Sequence, residues 1–184
     1  NRRGWGRLTR LLSTGNLRAE KGDCLLYARD LGEFIDEDMA LIVLPGGLAA
    51  TLRYLKSLTP HIWIGAAMPR GGDDRRRLAQ LSALSQQTGI PLLATNTPRF
   101  ASLDQKPLAD ILTCIAEKTT VQKAGQLLAK NAEAHIKPPA EMARLFADHP
   151  EALTATQDFI AGIDFTLDEL SYHYPDEPVP DGWT

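Results

Sequence analysis

The sequence predicts an α/β fold with parallel strands, and three observations carry that prediction. Short apolar runs stand at LIVL (Leu41 to Leu44), HIWIGA (His61 to Ala66) and PLLAT (Pro91 to Thr95). Each is bounded by proline, glycine or polar residues, as a buried strand should be. Two helix-period stretches, Ala49 to Leu58 and Asp74 to Thr88, separate them. Strand, helix, strand, helix, strand at this spacing is the pattern of βαβ units with right-handed crossovers. It describes an α/β sheet or a segment of a barrel.

The 184 residues suit one good-sized domain, or one domain with an appendage. With 43% hydrophobic and 23% charged residues, wholesale disorder is excluded. A net charge of −3 gives no global reason to bind nucleic acid. Cys24 and Cys114 lack a CxxC spacing and fit free thiols in a reducing, cytoplasmic setting. No apolar run approaches the roughly 18 residues of a membrane span, so no membrane partner is expected.

Taken in order, Trp5 to Thr14 reads as a helix with Trp5, Leu8, Leu11 and Leu12 on one side, stopped by Gly15-Asn16. Asp23 to Tyr27 reads as a short strand and Asp30 to Phe34 as a short helix. Pro45-Gly46-Gly47 turns the first strand into a helix that carries Leu52, Leu55 and Leu58. No lysine or GxxxxGK[ST] pattern makes that turn a phosphate loop. Asp73 is the expected N-cap of the next helix. Its apolar face is Leu78, Leu81 and Leu84 with Ala79 and Ala83, while Arg75, Arg76 and Arg77 spread around its first turns. Gly89 ends it, and Pro91 to Thr95 then leads into the loop Asn96-Thr97-Pro98-Arg99. Sites in layered α/β folds are commonly built at such carboxyl ends.

Beyond Phe100 strands give way to helices. Asp104 to Glu117 is expected to turn Leu108, Ile111, Leu112 and Ile115 inward. Val121 to Lys130 follows, capped by Thr119 or Thr120. Further helices open at Pro138-Pro139 and at Pro150, the last carrying Leu153, Phe159, Ile160 and Ile163. From Tyr172 the chain is rich in proline and acid, an extended tail or linker. A subdomain boundary falls near residue 118, dividing 1–118 from 119–184.

Chemistry-bearing patterns are few. His61, His135, His149 and His173 are dispersed, with no HxH or HExxH spacing. Neither GxSxG nor a cysteine with a base partner occurs, and no catalytic residue is assigned.

The stretch NRRGWGRLTRLLSTGNLRAEKG resembles the Asn-x-x-Gly-aromatic-x-x-Leu-x-x-Leu segment in the PHP domain of bacterial C-family DNA polymerases. GIPLLATN followed by PLADILTCI is similar to that domain's last strand and the helix after it. KPPAEMARLFADHPEALTAT resembles the segment leading to the polymerase palm and thumb. FTLDELSYHYPDEPVPDGWT resembles the error-prone, damage-tolerant branch more than the main replicative alpha subunit. The resemblance covers essentially the whole chain.

It implies the C-terminal part of a PHP-type distorted β/α barrel at 1–118 and a helical connector at 119–184. It also implies a fragment. The family's first metal motif, His-x-His, would lie upstream of Asn1, and the polymerase's catalytic aspartates beyond Thr184. The family motif Asn-Asp-x-His here reads Asn96-Thr97-Pro98-Arg99. Thr97 stands at the ligand Asp and Arg99 at the ligand His. A hydroxyl is a poor ligand for a divalent ion and a guanidinium is none. The resemblance therefore implies a degenerate metal site, with Arg99 supplying positive charge where the metal stood.

The expected cofactors are none in this chain, with magnesium implied for the parent polymerase. The expected partner is the remainder of the polymerase chain, with DNA and other replication or mutagenesis proteins as further candidates. DNA-binding residues are not assigned. Two alternatives stand beside this reading: an active PHP metal-dependent nuclease or phosphoesterase, and a non-catalytic protein-interaction module.

Overall fold

The computed structural model describes residues 1–44 and 49–171. The expected turn at Pro45-Gly46-Gly47 and the expected tail from Tyr172, with His173, lie outside the described residues.

Strands β1 (Leu41–Val43), β2 (Ile62–Ala66) and β3 (Leu92–Ala94) form one parallel sheet in the order β1-β2-β3. Ile64 pairs with both Val43 and Leu92, which fixes the register across all three strands. Every residue of β3 and all but Trp63 of β2 are buried, which explains their unbroken apolar sequence. Each strand is shorter than its apolar run. Pro91 has no N–H for the ladder, and its carbonyl accepts from Ile64 N at 2.9 Å.

Helices α3 (Ala49–Leu58) and α4 (Asp74–Thr88) occupy the two crossovers and pack on each other. Leu52, Leu55, Leu78 and Leu81 join Ile62, Ile64, Ile90 and Leu92 in one core. Fully burying each such side chain contributes about 1.5–3 kcal/mol. Ala79 and Ala83, expected on the inner face of α4, are exposed instead. The buried ridge runs through Leu78, Leu81 and Thr88, one step around the helix. Gly89 closes α4 at φ +63, a left-handed conformation that costs glycine nothing. Lys56 Nζ donates to the carbonyls of Thr88 and Gly89 at 3.1 and 2.9 Å, satisfying the helix end. At the other end Asp73 makes no side-chain cap. Asp74 instead braces the loop before the helix, accepting from the backbone N–H of Arg70 and Gly71.

Helix α1 (Arg2–Arg18) runs past the stop expected at Gly15-Asn16. Gly15 is buried inside it, where a Cβ would come 2.5 Å from Cys24 Sγ and 2.8 Å from Leu26 Cδ2. This glycine permits a close approach and does not end the helix. The strand expected at Asp23 to Tyr27 is absent, and that segment lies along α1, Leu25 N donating to the Gly15 carbonyl and the Cys24 thiol to the Leu12 carbonyl. The Asn-x-x-Gly pattern has a local cause. Asn1 accepts from Gly4 N at 2.9 Å, capping α1, and any Cβ at Gly4 would collide with the Asp38 carbonyl. Helix α2 (Ala28–Phe34) packs on α1. Buried Asp30 meets the Arg18 guanidinium at 2.5 Å, and that contact, with the Tyr27 N–H, holds its carboxyl below the usual range.

After β3 come α5 (Lys106–Ala116), α6 (Val121–Ala124), α7 (Pro139–Leu145) and α8 (Pro150–Ala161). The helix expected over Val121 to Lys130 is one turn, because Gly125 at φ +52 leaves the helical region. Helix α8 packs on β3 through small residues, Ala152 and Ala155. Phe159 meets Trp63 edge-on with ring centroids 5.5 Å apart. Ile160 and Ile163, expected to pack, are exposed. Phe146 is only 1% exposed and lies in the same core as the sheet, so helices past residue 118 complete the core that the strands begin.

Helix α5 reverses its expected orientation. Leu108, Ile111, Leu112 and Ile115 are 57, 49, 58 and 68% exposed, and Cys114 is its buried residue. Periodicity identifies an apolar face without saying that anything in this chain covers it.

Candidate functional site

Because the strands are parallel, their carboxyl ends share one edge of the sheet. Two of the loops that leave that edge are fully described, 67–73 after β2 and 95–99 after β3. Each holds a non-glycine residue with positive φ: Arg70 at +53 and Thr97 at +42. For β-branched Thr97, followed by a proline, this is a strained conformation.

The segment 131–141 crosses both loops and ties them together. Asn131 Nδ2 donates to the Pro69 carbonyl at 2.8 Å. Asn96 Nδ2 donates to the carbonyls of Glu133 and His135, and Arg99 N donates to the Ala134 carbonyl at 2.8 Å. Phe100 and His135 form an isolated parallel bridge. The same segment delivers an ionic cluster. The Lys137 ammonium has no solvent exposure and lies 2.7 Å from Glu133 and 3.9 Å from Glu141. Arg70 reaches Glu133 at 3.4 Å and Glu141 at 2.9 Å, and Arg144 approaches Glu141 at 3.8 Å. The bond from Lys137 lowers the Glu133 pKa most, against the opposing pull of burial. His135 Nδ1 lies 2.9 Å from the Ala132 carbonyl and 3.5 Å from Lys137 Nζ.

A cleft of about 460 Å³ opens beside this cluster, between β3, α7 and α8. Ala94, Lys137, Met142, Leu153 and Thr156 line it, and Thr156 Oγ1 donates to the Ala94 carbonyl at 2.9 Å. A wider groove runs between the start of α4 and the end of α7. There Arg70, Arg75, Arg76 and Arg144 are interspersed with Asp73, Asp74 and Asp148, and Arg70 is itself paired with Glu133 and Glu141, so both signs of charge line the groove. Arg77 turns away from that face, donating to the Ala67 carbonyl and pairing with Asp74 at 3.0 Å.

Thr97 and Arg99 both lie on this edge and both are exposed. Thr97 N donates to Thr95 Oγ1, and the Arg99 guanidinium makes no hydrogen bond or ion pair among the described residues. The buried cation at the strand ends is Lys137. Of the described histidines, His61 is exposed, His149 pairs with Glu151 at 2.9 Å beside the groove, and His135 lies against the Lys137 cluster. Among the described residues no three His, Cys, Asp or Glu side chains converge as metal ligands. The arrangement offers ion-paired charges around Lys137 and a small apolar cleft.

Residue spacing held one unused signal for the cluster, since Glu133, Lys137 and Glu141 recur at four-residue intervals. That spacing signifies a shared face only on a helix, and Pro138-Pro139 argues against one. The carboxylates meet the lysine because the chain bends between them.

These features define an α/β segment whose strand-end edge is closed by ion pairs. Its similarities to known proteins are more particular. The chain is 46% identical over 191 aligned residues to an error-prone DNA polymerase of Rhodopseudomonas palustris strain BisB5, covering all of this chain and 17% of that protein. An error-prone DNA polymerase of Sinorhizobium medicae strain WSM419 is 47% identical over 185 residues, covering 96% of this chain and 16% of its own length. One of Brucella abortus biovar 1 strain 9-941 is 45% identical over 191 residues, covering all of this chain and 18% of its own. The chain thus spans about one sixth of the length of these curated relatives. No family model matches it. No helix among the described residues is long and apolar enough to cross a membrane.

Proposed function

We propose that this chain is a segment of a cytoplasmic error-prone DNA polymerase, in which it serves as scaffold rather than as a catalytic part. The observation that carries the reading is 43–47% identity across the chain to proteins named error-prone DNA polymerase. Primer extension then belongs to residues outside this chain, with magnesium held there as the metal of phosphoryl transfer. DNA and other replication or mutagenesis proteins are met by the whole polymerase.

Within that reading, the segment is the later part of a PHP-type barrel, 1–118, with a helical connector, 119–184, and its metal site has lost its ligands. The donor set supports this. A threonine hydroxyl and a permanently charged guanidinium stand at Thr97 and Arg99, and the buried Lys137 ammonium adds a positive charge that opposes a divalent cation. Asn96 spends its amide on two carbonyls of the crossing segment. The ion cluster around Lys137 fixes the crossing segment to Arg70 of the loop after β2, and hydrogen bonds from Asn96 and Arg99 N fix the same segment to the loop after β3.

The test uses the complete polymerase that carries this chain. Primer extension in magnesium is expected, with no tightly bound zinc or manganese attributable to this segment. Failure to extend a primer would refute the polymerase reading. Stoichiometric metal that is lost on T97A would refute the degenerate site.

A further inference from the structure

We infer that the exposed stripe of α5 is an internal interface, covered by an apolar surface elsewhere in the same polymerase chain. This deepens the functional reading above and rests on it. Leu108, Ile111, Leu112 and Ile115 fall at i, i+3, i+4 and i+7, so they form one continuous aliphatic ridge. All four stand open to solvent. The elements α5 packs on are the flanking turn Leu103–Gln105 and α6. Leu103 and Val121 in those two elements are exposed as well, so the neighbourhood of the ridge is apolar too. Single exposed aliphatics are ordinary, whereas a ridge of this kind marks an interaction surface.

The chemistry of the ridge selects its occupant. Lys106, a cation on α5, is spent on Asp110 at 2.5 Å, leaving no ammonium on the helix for a phosphate backbone. An aliphatic surface is the fitting complement. Relatives matched across this chain continue for about five further chain lengths, so in each of them the corresponding helix has a large body of polypeptide to pack against. Covering the ridge within one chain requires no second molecule and loses no translational freedom.

The test is thiol labelling in the complete polymerase, read by peptide mass spectrometry. L112C is compared with Q86C on exposed α4, each treated with a small maleimide under native conditions. The expected result is labelling of L112C at least tenfold slower than Q86C, with the same ratio at low and high protein concentration. Equal rates would overturn the inference, because the ridge would be open in the intact protein. Protection that appears only as concentration rises would overturn it too, assigning the ridge to a second copy. Primer extension by both variants reports the polymerase reading separately, so loss of that reading is distinguishable from loss of the interface.

Discussion

Helices α8 and α5 both follow the sheet's third strand and both carry large aliphatic residues, yet they are used in opposite ways. Helix α8 packs on β3 through Ala152 and Ala155 while its larger Ile160 faces water. Helix α5 turns four large aliphatics to water and buries Cys114. Small residues let a helix backbone come close to a strand, where contact is dense and many weak attractions add up. Large residues on an uncovered face contribute almost nothing until a partner arrives. In this chain the apolar stripe that looks stronger in sequence is the weaker contributor to the fold.

The sharpest way to test that contrast is F146A against L112A, each followed by urea unfolding of the chain. Removing the Phe146 ring from the core is expected to cost about 3–5 kcal/mol. L112A should cost less than about 0.5 kcal/mol, the range for exposed positions. A comparable loss for both would mean that α5 is covered within these residues. Next in size is K137M, which leaves Glu133 and Glu141 without their buried ammonium. A loss of roughly 3 kcal/mol is expected, and E133Q in the same chain should recover part of it. If K137M were neutral, the cluster would not be holding the crossing segment to the loop after β2.

A smaller effect is expected at Gly15, where G15A forces a methyl group against Cys24 and Leu26. Overpacking there should cost about 1–3 kcal/mol, measured as a lowered melting temperature. C24A in the same background should restore part of the loss, since it clears the nearest contact.

The most gradual effect is that of pH. Glu133 and Asp30 both have folded pKa values below their ordinary ones, held there by Lys137 and Arg18. Unfolded, such groups titrate near about 4.3 and 3.9. The unfolded chain therefore binds protons first as pH falls. The contribution is full above that range and is lost as pH drops through the lower folded values. Urea midpoints between pH 6 and 3 should fall on the acid side, and E133Q should flatten the curve. An unchanged slope in E133Q would remove Glu133 as a contributor.

Much of the architecture was legible because it depends on local pattern. The runs around Ile42, Ile64 and Leu93 are apolar on successive residues, as suits short strands of a covered parallel sheet, and β2, Trp63 apart, and β3 are buried. Ala49–Leu58 and Asp74–Thr88 occupy the ranges their periodicity indicated, and Gly89 ends the second in the left-handed conformation expected of a helix stop. Gly15 misled because a glycine allows two different things, a left-handed stop or a close approach, and the second depends on Cys24 and Leu26 arriving from outside the helix. The candidate site was half legible. Asn96, Thr97 and Arg99 were located at the strand end, but Lys137 lies 38 residues beyond Arg99 in sequence, in a segment without regular structure.

By itself, then, the sequence determined the three strands of the sheet, the two crossover helices and the parallel sense of the sheet, though not the absence of a strand at 23–27, because apolar runs, period and turn chemistry act between near neighbours. The tertiary structure alone decided which apolar faces are covered and which cation is buried at the strand ends. Both depend on segments far apart in the chain: Phe146 and Ala152 close over the sheet, and residues 131–141 carry Glu133, Lys137 and Glu141 to Arg70. Burial and charge pairing are properties of that meeting, and no local pattern encodes them.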